Sequence, residues 1–292
     1  MIPMMDGMPL VVPQMPAVST VRVERRVQSP WAGGDFVLGV LAEATPWRGA
    51  RAVLVGDVQS GQVLLAHREE QMLPIASLTK IMTVVVALEH YGPETLVTVT
   101  EEAVATEGAK VPLLLGDRLT VAELVRACMI RSGNDAAIAL AAHAPRGTTQ
   151  FVGWMNDKAA DLGLMGVHFA NPMGFDAENH FATAGAMFHL ARYALETHPL
   201  VGAAAREPEA TIRGERKSYP IKSTNALLGD GVLAVEGLKT GTTEGAGQSL
   251  MTLIRLPDGR ELMAVVLGSP ERFGETKTLL WWVLERLGEQ SS

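Results

Sequence analysis

Ser77 and Lys80 are three residues apart at the start of a stretch that could carry nucleophilic chemistry. The largely apolar run from Leu78 to His90 stops at Gly92-Pro93, which predicts a helix buried on nearly all sides. Positions three apart share one face of a helix, so the Lys80 amine would lie beside the Ser77 hydroxyl. A serine hydroxyl is a weak nucleophile until a base takes its proton. A buried Lys80 could be that base, because burial disfavours its ammonium form.

A second polar motif, Ser132-Gly133-Asn134, falls in a turn between two predicted helices. Ser132 could relay a proton between Lys80 and a leaving amine, and the Asn134 amide could bind a substrate carbonyl. The same residues also suit a plain turn that caps a helix. The similar motif Ser223-Thr224-Asn225 shows how easily this pattern arises by chance. The residues alone leave both interpretations open.

A third motif, Lys239-Thr240-Gly241, lies in a predicted strand over Leu238 to Thr243. Lys239 would offer a cation to a terminal carboxylate, and the hydroxyls of Thr240 and Thr242 would offer donors. Gly241 would leave room for a substrate to lie against the strand edge. The alternative is an ordinary hairpin with a basic residue at its edge.

Two further expectations concern how these motifs would act together. The backbone N–H groups of Ser77 and Thr242 would form an oxyanion hole, and Lys239 would help to disfavour the ammonium form of Lys80. Arg272, just beyond the last predicted strand, would either share the substrate carboxylate or be an ordinary surface arginine.

The predicted elements give a mixed α/β fold. The chain has strands early, helices in the middle, and strands with a last helix at the end. The simplest assembly is one antiparallel sheet built from both chain ends, with covering helices and an inserted helical lobe at about residues 95–225. The predicted strands are Ala52–Val55, Val63–Leu65, Leu238–Thr243, Gln248–Leu256 and Glu261–Gly268, and the last helix is Thr276–Leu287.

Residues 1–45 show no sustained hydrophobic period, which predicts a flexible leader before a single bilobed domain at residues 46–290. Prolines interrupt the apolar residues of this leader, so an export signal is neither indicated nor excluded. No run approaches the ~20 apolar residues that would cross a bilayer.

Composition excludes several classes of protein. A net charge of -7 argues against a nucleic-acid-binding or anionic-membrane-binding surface. Cys128 is the single cysteine, so no intramolecular disulfide or multi-cysteine metal site can form. The histidines, among them His143, His168, His180 and His189, lack metal-ligand spacing, so no metal or other cofactor is expected.

The order and context of the three motifs resemble those of the low-molecular-mass penicillin-binding proteins. These are the serine D-alanyl-D-alanine carboxypeptidases and endopeptidases of peptidase family S11, with a β-lactamase/transpeptidase-like fold. The resemblance rests on four segments, Pro74–Thr83, Arg131–Ala137, Ser223–Leu228 and Gly237–Thr243. It gives the Ser223 segment a structural role ahead of the Lys-Thr-Gly strand.

The resemblance implies an acyl-enzyme on Ser77, formed with the D-Ala-D-Ala end of peptidoglycan stem peptides. Penicillins would be covalent inhibitors, and the protein would act outside the cytoplasm, in the periplasm or on the cell-wall side. A D,D-endopeptidase that cuts peptidoglycan crosslinks, a β-lactamase or esterase, and a non-catalytic β-lactam sensor remain alternatives. The absence of a Glu-x-x-Leu-Asn segment counts against a class A β-lactamase.

Overall fold

A computed structural model describes residues 49–290 except 230 and 232, together with two short strands nearer the N terminus. These strands, Val23–Gln28 (β1) and Asp35–Val40 (β2), pair antiparallel. The rest of the predicted leader, residues 1–45, lies outside the described residues.

A five-stranded antiparallel sheet, with strands from both ends of the chain, forms the framework. Two strands precede the helical region and three follow it, which confirms the predicted sheet. From one edge to the other, the strands are Val63–His67 (β4), Ala52–Asp57 (β3), Glu261–Ser269 (β11), Gly247–Arg255 (β10) and Val235–Thr243 (β9).

Seven α-helices lie between β4 and β9 in the described part of the chain. They are Lys80–Tyr91 (α1), Glu101–Ala105 (α2), Val121–Arg126 (α3), Asn134–Ala142 (α4), Gly147–Asp161 (α5), Ala184–Thr197 (α6) and Pro199–Ala205 (α7), followed by Arg272–Gln290 (α8) after the last strand. Two small antiparallel sheets pair Leu96–Thr98 (β5) with Arg118–Thr120 (β6), and Glu209–Arg213 (β7) with Ser218–Lys222 (β8). None of the helices among the described residues has both the length and the apolar character needed to cross a bilayer.

The sheet separates two hydrophobic cores, because successive strand residues point to opposite faces. On one face, Val53 and Val55 belong to the core that includes Leu279 and Leu280 of α8. On the other face, Leu54 belongs to the larger core, which includes residues of α1, α3, α4, α5 and α6. The helices that cover the central strands are α8 on one side and α6 on the other.

Helix α1 lies at the centre of the larger core. Every residue from Lys80 to Ala87 is buried, including the three consecutive valines Val84, Val85 and Val86. This confirms the predicted central helix, with one difference at its start. Ser77 lies in a 3-10 turn, Ala76–Thr79, that immediately precedes α1.

The boundaries of other elements also differ from those predicted. The predicted helix over Thr120–Met129 is α3 followed by a π-helical turn, Ala127–Arg131, and the predicted last helix begins at Arg272. Strands β5 and β6 have three residues each, which is too short for a period-2 pattern to show in the sequence.

A buried carboxylate joins α4 to the preceding loop. Asp135 is 1% exposed, and its carboxylate accepts hydrogen bonds from the backbone N–H groups of Val111, Leu113 and Ala136. These bonds satisfy a charge that would otherwise be costly to bury. They also hold the loop beside Asn134.

We predict that Asp135→Ala lowers the free energy of unfolding by about 2–4 kcal/mol, because it leaves buried N–H groups without an acceptor. Urea denaturation measures this change. The control is Asp157→Ala on the exposed face of α5, which should change stability by less than about 0.5 kcal/mol. Equal midpoints for the two variants would show that the Asp135 bonds do not stabilise the loop.

Candidate active site

The hydroxyl of Ser77 and the amine of Lys80 are in direct contact. Lys80 Nζ is 2.8 Å from Ser77 Oγ and donates to the backbone oxygen of Met173 at 2.8 Å. In a 3-10 turn, residues three apart eclipse each other, which brings these side chains together. A neutral amine that gives one N–H to Met173 still has a lone pair for the Ser77 proton. The adjacency predicted from the sequence is therefore present.

Burial changes the acidity of Lys80. The side chain is fully buried, and loss of hydration lowers the pKa of Lys80 to about 7, although the nearby Cys128 and Asp135 partly oppose the shift. Near neutral pH, a substantial fraction of Lys80 is thus uncharged. An uncharged amine beside a serine hydroxyl is the arrangement that general-base activation requires.

Lys239 is the second buried amine of the site. It is 1% exposed, and its Nζ donates to the backbone oxygen of Thr240 at 3.0 Å. Burial holds the pKa of Lys239 well below its usual value, and the charges of Lys80 and Arg272 lower it further. The charge of Lys80 thus acts on Lys239, whereas burial accounts for the lowered pKa of Lys80. The expected effect of Lys239 on Lys80 stays a prediction.

The edge strand β9 runs directly beside Ser77. A Cβ atom placed on Gly241 would lie 3.0 Å from the oxygen of Ile75 and 3.1 Å from the nitrogen of Ser77. Any larger residue would push the strand away from the turn that carries Ser77. The lack of a side chain at Gly241 thus lets β9 approach this turn. Its expected role in leaving room for a substrate stays a prediction.

Thr240 connects β9 to the segment that contains Thr224. Its hydroxyl is 2.5 Å from that of Thr224, and the N–H of Thr224 donates to the oxygen of Ile130 at 3.1 Å. Ile130 belongs to the π-helical turn that precedes Ser132. The Ser223-Thr224-Asn225 segment therefore bridges β9 and this turn, in agreement with its predicted structural role.

Ser132 ends the π-helical turn in a left-handed conformation, with φ of 63°. It is 5% exposed, and the turn packs against α1 and β9. Within the described part of the chain, the Ser132 hydroxyl makes no hydrogen bond. Asn134 is also buried, and its Nδ2 donates to the oxygen of Glu107 at 2.6 Å, which orients the amide. Their roles in proton relay and substrate binding stay predictions.

Arg272 lies against β9, the position from which it could share a substrate carboxylate. Its guanidinium donates to the oxygen of Gly241 at 2.9 Å and to the hydroxyl of Thr242. The Nε atom is buried without a hydrogen-bond partner among the described residues. Burial lowers the pKa of Arg272, although Glu271 opposes this change. The Arg272 guanidinium thus lies beside the end of β9, and its Nε–H remains available as a donor.

Sequence reasoning left the role of the turn Asn171–Gly174 open, because its Asn-Pro-x-Gly signature indicates a structural turn that could also border the cleft. The Asn171 side chain accepts from the N–H groups of Met173, Gly174 and Phe175, which shapes the loop. The loop presents the Met173 oxygen to Lys80. This contribution comes from a backbone atom, so only the Asn-Pro-x-Gly turn signature could have pointed to it.

The glycine of this loop has a definite steric role. Gly174 has φ of +93°, and a Cβ atom there would overlap the backbone oxygen of Ala76, next to the nucleophile. Both the backbone conformation and the close approach require glycine.

Comparison with known proteins gives a consistent result. Residues 40–271 match the family described as Peptidase_S11, D-alanyl-D-alanine carboxypeptidase. The D-alanyl-D-alanine carboxypeptidase DacC of Escherichia coli is 38% identical over 247 residues, which cover 80% of this chain and 60% of the relative. The chain thus spans about 60% of the length of this curated relative.

Two further similarities bear on the fold and on the alternatives. A D-alanyl-D-alanine endopeptidase of Pseudomonas aeruginosa is 28% identical over 238 residues, which cover 80% of this chain and 76% of that protein. The crystal structure of penicillin binding protein 5 from Haemophilus influenzae superposes with a TM-score of 0.74 at 32% identity, covering 82% of this chain and 72% of that chain.

We predict that Gly174→Ala reduces covalent labelling of Ser77 by a fluorescent penicillin at least tenfold, because the methyl group displaces the Ala76 oxygen. The matched control is Gly153→Ala on α5, where a Cβ atom meets nothing within 4 Å. That control should label normally and gain roughly 0.5–1 kcal/mol of stability. Unchanged labelling of Gly174→Ala would refute the steric role.

Proposed function

Because the chain belongs to peptidase family S11, the D-alanyl-D-alanine carboxypeptidases, we propose that it is a serine-type D-Ala-D-Ala carboxypeptidase. Its substrates would be peptidoglycan stem peptides, cleaved through an acyl-enzyme on Ser77. The observation that carries the proposal is the contact between a fully buried Lys80 amine and the Ser77 hydroxyl, at 2.8 Å.

In the acylation step, neutral Lys80 takes the Ser77 proton while Oγ attacks the carbonyl carbon of the penultimate D-Ala. The N–H groups of Ser77 and Thr242 stabilise the oxyanion that forms. The C–N bond then breaks, and the leaving D-Ala nitrogen receives a proton from Lys80 through the Ser132 hydroxyl. Water later hydrolyses the ester and regenerates Ser77.

Recognition of the substrate would fall to β9 and its surroundings. The peptide would lie along this sheet edge as an added strand, next to Gly241, while the Asn134 amide binds a substrate carbonyl from the facing wall. The terminal carboxylate would bind Arg272, Lys239 and the hydroxyls of Thr240 and Thr242. An incoming carboxylate would favour the charged form of Lys239, which burial otherwise disfavours.

Peptidoglycan is found in the periplasm or on the cell-wall side of the membrane, so the proposed reaction would take place there. Penicillins carry a strained amide and a carboxylate, so they would acylate Ser77 and be released slowly. The proposal needs no metal or organic cofactor, because a serine, a lysine and backbone donors supply each step.

A D,D-endopeptidase is the second candidate, since a relative of that name covers as much of this chain as the carboxypeptidase relative does. The two activities would share Ser77 and Lys80 and differ in the space available beyond the scissile bond.

Digestion of purified muropeptides separates these candidates. We predict that the wild-type protein releases D-Ala from a linear pentapeptide, and that Ser77→Ala releases none and takes up no penicillin. Mass spectrometry of the digest and of the intact protein measures both results. Cleavage of crosslinked dimers alone would identify an endopeptidase. Penicillin uptake without any peptide cleavage would support a non-catalytic sensor and contradict the proposal.

The pKa of Lys80 predicts a pH dependence for acylation. The neutral amine is the active form, so the second-order rate constant should be low below pH 7, rise through about 7 and level off above it. Stopped-flow measurement with a chromogenic penicillin tests this profile in the free protein. A profile that is flat from pH 6 to 9 would exclude Lys80 as the titrating base.

A further inference from the structure

The peptide group between Ala76 and Ser77 follows a residue with an unusual backbone conformation. Ala76 has φ of +49°, a left-handed conformation that residues with a Cβ atom rarely adopt. The oxygen of Ala76 and the N–H of Ser77 belong to one planar trans peptide, so they point in opposite directions. Whatever fixes the Ala76 oxygen therefore also aims the Ser77 N–H.

A buried side chain, held in turn by a second one, fixes this oxygen. The hydroxyl of Thr79 donates to the Ala76 oxygen at 2.8 Å and lies 2.7 Å from Nε2 of His180. The other ring nitrogen of His180, Nδ1, accepts from the N–H of Ala170 at 3.0 Å. Thr79 is fully buried, and His180 is 3% exposed.

These bonds determine where each proton lies. Because Nδ1 accepts from Ala170, the proton of a neutral His180 ring is on Nε2. The single Thr79 proton points to Ala76, so the Thr79 oxygen must accept the Nε2–H of His180. Burial, with a smaller effect of His168 and Lys80 and an opposing effect of Asp176, lowers the pKa of His180 to about 4. The ring is thus neutral at neutral pH, as this chain of bonds requires.

We propose that Thr79 and His180 are positioning residues that orient the Ala76–Ser77 peptide, so that the Ser77 N–H points at the oxyanion formed during acylation. The inference rests on the proposed function. It gives a role to a histidine that touches neither the nucleophile nor the substrate carboxylate site. The network supports Ala76 through its oxygen, while Gly174 packs against the same oxygen.

The test compares Thr79→Val, Thr79→Ser, His180→Leu and the double variant Thr79→Val/His180→Leu. Stopped-flow kinetics with a chromogenic penicillin separates the acylation rate constant at saturation from the affinity of the first, non-covalent complex. Thr79→Val and His180→Leu should each lower the rate constant about tenfold or more with little change in affinity, because an oxyanion donor acts in the transition state. Thr79→Ser restores the hydroxyl and should recover the rate to within about threefold of wild type.

Two comparisons distinguish orientation from loss of stability. The acylation rate constant of the double variant should lie within about threefold of that of the slower single variant, because both changes break one chain of bonds. The control is Tyr193→Phe, which removes a hydrogen bond to Glu89 at the far end of α1 and should acylate at the wild-type rate. Additive losses, or variants that melt earlier but acylate normally, would overturn the inference.

A measurement on the unaltered protein guards against variants that fail to fold. Nitrogen NMR of histidine-labelled protein at pH 7 should show His180 as the neutral Nε2–H tautomer. An Nδ1–H tautomer or an imidazolium would overturn the inference. A wild-type protein that no penicillin acylates would overturn the proposed function and this inference with it, whereas the outcomes above concern the inference alone.

Discussion

The site depends on keeping the Lys80 amine away from water while giving it two hydrogen-bond partners. A solvated lysine would carry a proton at neutral pH and could not accept one from Ser77. Complete burial lowers the pKa of Lys80 to about 7, and the contacts with Ser77 Oγ and the Met173 oxygen satisfy the amine without a carboxylate in hydrogen-bond contact. A directly paired carboxylate would stabilise the ammonium form and reverse the effect.

The fold provides this environment by enclosing one helix. Helix α1 lies within the larger core, where it packs against α3, α4, α5 and α6. Its first turn is therefore buried, while Ser77, just before it, is partly exposed. The walls come from parts of the chain that are far apart in sequence. Ser132 and Asn134 come from the end of the π-helical turn and the start of α4. The loop around Met173 contacts Lys80, and the edge strand β9 supplies Lys239 and Gly241. An edge strand suits this position, because one side of it is not paired within the sheet.

Sequence reasoning recovered the parts of this arrangement that depend on residue type. The Ser77–Lys80 spacing predicted a real contact, the valine-rich run predicted the central helix, and the turn-bounded apolar runs predicted the sheet from both chain ends. The sequence also predicted the strand that carries Lys239, and it left the position of Arg272 open. Each of these inferences used a side chain or a hydrophobic period, which are the signals that a sequence carries directly.

The missing parts depend on backbone geometry, which residue types do not reveal. The Met173 oxygen, the left-handed Ala76 and the π-helical turn before Ser132 are produced by tertiary packing. His180 looked like one of several scattered histidines, because its partner Thr79 is 101 residues earlier in the chain. Its significance follows from the hydrogen bonds that it makes through Thr79 to Ala76.

Direct titration of Lys80 tests the central claim without reference to any substrate. In protein labelled with ¹³C and ¹⁵N at lysine, the Lys80 resonance is identified by its loss in Lys80→Ala and followed from pH 5 to 11. The structure predicts a midpoint near 7, well below that of solvent-exposed lysines. A midpoint near 10 would mean that Lys80 is charged at neutral pH, and the proposed activation of Ser77 would be wrong.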